Sequence, residues 1–173
     1  MKSDSKYKIE FAGLKIGSHQ FNFNADKKFF DRFNFSDFNN VTVNVDIDLT
    51  KKSTMLELDF VLDGTVNLNC DLTNEPFDFH IKHKSSLVVK FGQDYNDEDD
   101  EILVLPHGEH KLYVDQYIFE LIVLSLPPKR IHPGVEDGSL KSEILDILED
   151  LKPKENSSFA DPRWEQLIHK HYT

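Results

Sequence analysis

The sequence predicts an α+β protein that is mainly antiparallel sheet, with a long bent hairpin, one buried helix and a C-terminal helical extension. Three observations carry the prediction. Apolar residues alternate along 41-VTVNVDIDL-49, and they alternate again on both sides of a short polar turn between residues 56 and 91. The stretch 117-YIFELIVLSL-126 is apolar nearly throughout. Past residue 133 the alternation gives way to helical spacing. The alternation is also compatible with a sheet that closes into a barrel.

In chain order, Tyr7, Ile9 and Phe11 suggest a short strand and 19-HQFNFNA-25 a second. Phe29, Phe30 and Phe33 in 26-DKKFFDRF-33 fall at the spacing of one short helix, capped by Asp26. Val41, Val43, Val45, Ile47 and Leu49 share one face, and Thr42, Asn44, Asp46 and Asp48 the other, as in a sheet with one wet side. Lys51, Lys52 and Ser53 make the turn. Leu56, Leu58, Phe60, Leu62, Val66, Leu68 and Cys70 then keep one parity with Gly64 in phase. At ~3.3 Å per residue such a strand extends roughly 50 Å, so a bend is expected at Gly64 rather than a one-residue bulge.

After 71-DLTNEP-76 the alternation returns in Phe77, Phe79, Ile81, Leu87, Val89 and Phe91, which completes the hairpin. The segment 93-QDYNDEDDE-101 reads as a solvated acidic loop, and 102-ILVL-105 as a brief strand. Asp115 is the expected N-cap of a helix running to about Leu126 and stopped by Pro127 and Pro128. Being apolar nearly all round, that helix is placed in the interior against the sheet; a strand is the competing assignment. Leu140, Ile144, Ile147, Leu148 and Leu151 form a helical stripe, and Asp161-Pro162 opens a last helix. The division expected is a β-rich core over 1–133 and a helical extension over 134–173.

The chain has 173 residues, enough to bury a real core, and its single cysteine excludes an intrachain disulfide. No apolar signal segment opens it, and the apolar run falls short of the ~20 residues that a bilayer demands. A soluble cytoplasmic protein with no membrane partner is expected. Thirty-one acidic against twenty basic residues give a formal net charge of -11. That field repels nucleic acid at long range and attracts basic partners.

Catalytic motifs are sparse. Cys70 needs a base in reach to act as a nucleophile, and His80 and His83 on the next strand point to opposite faces. Cys70 itself shares the apolar parity, so a buried, inert thiol is expected. His107 and His110 lack the helical context of a metalloprotease motif, and His169 and His171 would diverge on a helix. No GxxxxGK[ST] or GxGxxG cradles a phosphate. No cofactor, metal, small-molecule substrate or catalytic residue is expected. A hydrolase or nuclease using carboxylates and histidines is the alternative from another class, and a general protein-interaction module is the other.

The turn adds a resemblance. The segment 70-CDLTNEPF-77 resembles the C-x-R-C-L-E-P-F signature of the YceD family, bacterial and plastid proteins associated with accumulation of large-subunit ribosomal RNA. An acidic loop follows, then a hydrophobic helix with Glu120 ending in Leu126-Pro127, then His132, and 161-DPRWEQL-167 resembles the family's D-P-R-[FW]-x-x-L. The resemblance covers roughly residues 56 to 170. Leu72 stands where the family often has arginine, Thr73 replaces its second cysteine and Asn74 its leucine. Whatever a CxxC pair does in other members, Cys70 alone cannot do here.

The resemblance implies a non-catalytic factor in large-subunit biogenesis. The charge adds that its partner is a basic ribosomal protein or pre-ribosomal component rather than bare RNA. The candidate interaction residues are Asp97, Glu98, Asp99 and Asp100 of the acidic segment, with Arg163 and Trp164 of the tail. Trp164, Leu167 and Ile168 have a second reading, in which they pin the last helix to the core.

Overall fold

The computed structural model describes residues 6–99 and 101–152. They form a six-stranded sheet in the order β2–β3–β4–β5–β7–β6 and a small two-stranded sheet, β1–β8. The strands are β1 (Lys8–Ile9), β2 (Gly17–Asp26), β3 (Asn40–Lys51), β4 (Met55–Asn69), β5 (Pro76–Gly92), β6 (Asn96–Asp99), β7 (Ile102–Pro106) and β8 (Leu112–Tyr113). The helices are α1 (Lys27–Asp31), α2 (Asp115–Leu124), α3 (Pro133–Glu136) and α4 (Glu143–Asp150). The large sheet is open, with β2 and β6 as its edges, so it does not close into a barrel.

Alternation builds the centre. On β3, Val43, Val45, Ile47 and Leu49 are fully buried, while Asn44, Asp46 and Asp48 are exposed. Each such apolar side chain contributes roughly 1.5–3 kcal/mol. β3 and β4 stay in register from Asn40↔Asn67 to Lys51↔Leu56, and β4 and β5 from Met55↔Lys90 to Asn69↔Pro76. No bulge interrupts Gly64, which faces Val43. A Cβ there would lie 2.5 Å from Val43 Cα, inside the backbone of β3. The missing side chain therefore admits a close approach of two main chains.

Two sequence expectations are refined at the far edge. The acidic segment is not only loop: Asn96–Asp99 is β6, wholly exposed and paired antiparallel with β7. It buries no apolar side chain, so no alternation announced it. β7 in turn runs parallel to β5, from Val88↔Ile102 to Gly92↔Pro106, so the sheet is mixed, antiparallel at each of its other pairings. The chain leaves β5, forms the edge, and doubles back to fill the gap between them.

The small elements cover the apolar face. Asp26 caps α1 as expected, accepting a hydrogen bond from Phe29 N at 3.0 Å. α1 and the loop behind it place Phe29, Phe30, Phe33, Phe35 and Phe38 in one aromatic cluster. Phe119 of α2 joins it, stacked on Phe33 at 4.3 Å. α2 is less interior than its composition implies. Ile118 and Ile122 are buried, but Leu124 is 78% exposed.

Asp115 is not an N-cap either. Val114 holds that position without a side-chain bond, and Asp115 is the first helical residue, buried and ion-paired with Arg32 at 3.3 Å. A carboxylate that finds a guanidinium has less reason to cap a backbone N–H. Near the end of the described chain, α4 carries Ile144, Ile147 and Leu148 exposed and buries no residue. The expected helix after Asp161 lies outside the described residues.

Candidate functional site

The tip of the β4–β5 hairpin is a clamp. Asn74 N donates to Cys70 O at 2.8 Å and Cys70 N to Glu75 O at 2.9 Å. Asn74 adopts φ 59, a left-handed conformation that asparagine tolerates better than most residues. The turn is then tied to the segment after α2. Asp71 N donates to Arg130 O at 2.8 Å, and Arg130 N returns a bond to the Asp71 carboxylate at 2.7 Å. His132 N donates to Cys70 Sγ at 3.4 Å, and the His132 ring meets Phe77 edge-on.

Cys70 is 2% exposed, the buried position its parity implied. Burial works to raise its thiol pKa. Hydrogen bonds to the sulfur from the Thr73 side chain and from the backbone at His132, Thr73 and Leu72 outweigh burial and leave it below the ordinary value. Thr73 is itself buried, and its hydroxyl hydrogen-bonds the Cys70 thiol.

The acidic edge forms a different kind of site. A groove of about 500 Å3 runs between β6 and α2. Asp97 and Asp99 of β6, Glu101 before β7 and Glu120 of α2 line it, and Phe60, Leu121 and Leu124 supply apolar surface. Tyr95 donates to Asp97 Oδ2 at 3.1 Å, and Asp99 Oδ1 accepts from Glu101 N at 2.9 Å, which fixes the β6–β7 turn. Gln116 holds Glu120 at 2.9 Å across one helical turn.

Burial raises the Tyr95 phenol pKa, and the hydrogen bond and charge of Asp97, with Glu120, add to it. Burial raises Tyr117 too, with Tyr95, Asp97 and Glu120 contributing. Both rings register the negative field of the groove. Despite its carboxylates, no group of three or more His, Cys, Asp or Glu among the described residues could hold a metal ion.

Of the candidates read from the sequence, Asp97 and Asp99 enter the groove, whereas Glu98 is exposed and does not line it. Asp100, Arg163 and Trp164 lie outside the described residues. Two groove carboxylates were absent from the candidate set, Glu101 beside the acidic strand and, from a separate element, Glu120. The signal for Glu120 was present: one carboxylate interrupting a long apolar run needs either a partner or water. His80 is exposed with Asp63 at 3.9 Å, and His83 lines the groove. Among the described residues no helix is long and apolar enough to cross a membrane.

Fold and site together define an α+β protein whose open mixed sheet carries an acidic groove along one edge. The family model described as large ribosomal RNA subunit accumulation protein YceD matches residues 58–169, more than half of the chain. The chain belongs to the YceD family, whose description names large-subunit ribosomal RNA accumulation. No curated protein and no solved structure matches it.

Proposed function

We propose that this protein supports accumulation of large-subunit ribosomal RNA without catalysis, by holding a basic ribosomal protein in the β6–α2 groove before that protein reaches RNA. The observation that carries this reading is the convergence of Asp97, Asp99, Glu101 and Glu120 from separate elements on one concavity. The formal net charge of -11 works the same way, drawing in basic proteins and repelling phosphate backbones. Ribosomal proteins that bind RNA carry the complementary charge, and such complementarity speeds encounter more than it deepens affinity.

The test is a titration of the full chain against purified ribosomal proteins and against fragments of large-subunit ribosomal RNA, across a range of salt. A basic ribosomal protein is expected to bind in a salt-sensitive way. The triple variant Asp97→Asn, Asp99→Asn, Glu120→Gln should slow its association about tenfold. Tight, salt-sensitive binding of RNA in the absence of any protein would overturn the proposal.

A further inference from the structure

The groove does not end at Tyr95 and Tyr117. Those two rings and Gln116 are also walls of a second cavity of about 350 Å3, so the two spaces adjoin. Leu103, Leu105 and Leu112 are buried core residues that line this second space, and Tyr113 borders it as well. Tyr95 and Tyr113 are 55% and 43% exposed, a large aromatic surface to leave in water.

Its charges are largely matched from within. Asp115 faces Arg32 at 3.3 Å, and Lys111 faces Glu10 at 3.9 Å, while Glu109 is exposed at the margin. The cavity is therefore apolar and aromatic in character, with little pull of its own on a cation. The neighbouring groove has the opposite character. A polycation held only by the groove would be chosen by charge, and a side chain seated in the cavity adds a choice by shape.

We propose that this cavity seats one apolar anchor, aromatic or large aliphatic, from the same basic protein segment whose cationic residues lie along the groove. The inference rests on the function proposed above and narrows the partner to a basic segment with an apolar residue beside its charges. The occupant is protein and not nucleic acid, because a stacked base would bring its phosphates against Asp97, Asp99, Glu101 and Glu120. Anchors of this kind, buried in a pocket with charges at the rim, carry a large share of binding energy.

Two labelled peptides test it on the full chain by fluorescence anisotropy: one of lysine, arginine and glycine, and the same peptide with one central phenylalanine. The phenylalanine peptide should bind about tenfold tighter. Tyr113→Ser, at a residue that borders the cavity and not the groove, should erase most of that preference and leave the affinity of the other peptide unchanged. Tyr113 is exposed, so the melting temperature should hold, and the comparison on the unmutated chain decides even if it does not. A Trp164→Ala chain is measured alongside, so that occupation of the cavity by the protein's own tail shows as a preference that emerges only there. Equal affinity for the two peptides in both backgrounds would overturn the inference and leave the acidic groove standing. Failure of either peptide to bind would overturn the proposed function as well. Binding of an oligouridine that Tyr113→Ser abolishes would overturn the protein assignment of the cavity.

Discussion

β4–β5 and β6–β7 are two hairpins of one sheet, and they use sequence in opposite ways. β4 buries Leu56, Leu58, Phe60, Leu62, Val66 and Leu68 on one face. β6 buries nothing at all. The first hairpin is fixed by the area that both its strands remove from water; in the second only β7 buries apolar side chains, Leu103 and Leu105, and β6 is held by backbone pairing and by the Asp99 turn. Stability thus rests on β4 and β5, the function proposed above gives β6 the recognition, and an exposed edge strand dense in carboxylates is also protected from pairing with a second sheet.

Breaking the comparison starts at the core hairpin. Leu62→Ala, at a fully buried position, should cost about 2–5 kcal/mol in chemical denaturation, because the fixed pairing of β3, β4 and β5 limits collapse around the void. An effect below 1 kcal/mol by the same measurement, well under the ~2 kcal/mol floor for such changes, would mean that β4 is not scaffold.

The groove predicts a smaller, pH-dependent effect. The Tyr117 phenol is raised above its ordinary value of 10.0, chiefly by burial. Above that pH the unfolded chain gives up the proton while the folded chain keeps it, so stability is full below pH 10 and falls as pH rises beyond it. Tyr117→Phe should flatten this alkaline loss in denaturation curves taken on either side of pH 10. Identical curves for the two proteins would remove the raised Tyr117 phenol from the account.

The smallest expected change sharpens the contrast. Asp97→Asn, Asp99→Asn and Glu120→Gln should each leave stability within about 0.5 kcal/mol, since these carboxylates are exposed. If any of them lowered the melting temperature as much as Leu62→Ala, the edge would be structural and the division of labour would fail.

The long strands were legible because period-2 burial is written directly into residues such as Val43, Val45 and Ile47. The α1 cap was legible because Asp26 acts on a backbone N–H only three residues away. Asp115 shows where local reading stops. Its sequence neighbours describe a cap, but its partner Arg32 is 83 residues distant in the chain. Similarly, half of the groove was visible as a run of acids, yet Glu120 belonged to a helix that composition placed in the interior.

By itself the sequence determined the parity of β3, β4 and β5, the turn at Pro76 and the sign of the protein's field. These follow from local geometry and from counting charges. Only the tertiary structure decided that β7 lies parallel between β5 and β6, that the sheet stays open, and that Glu120 faces Asp97 and Asp99 across a groove. Strand order and the meeting of distant carboxylates depend on how the whole apolar face is covered, and no short stretch of residues contains that information.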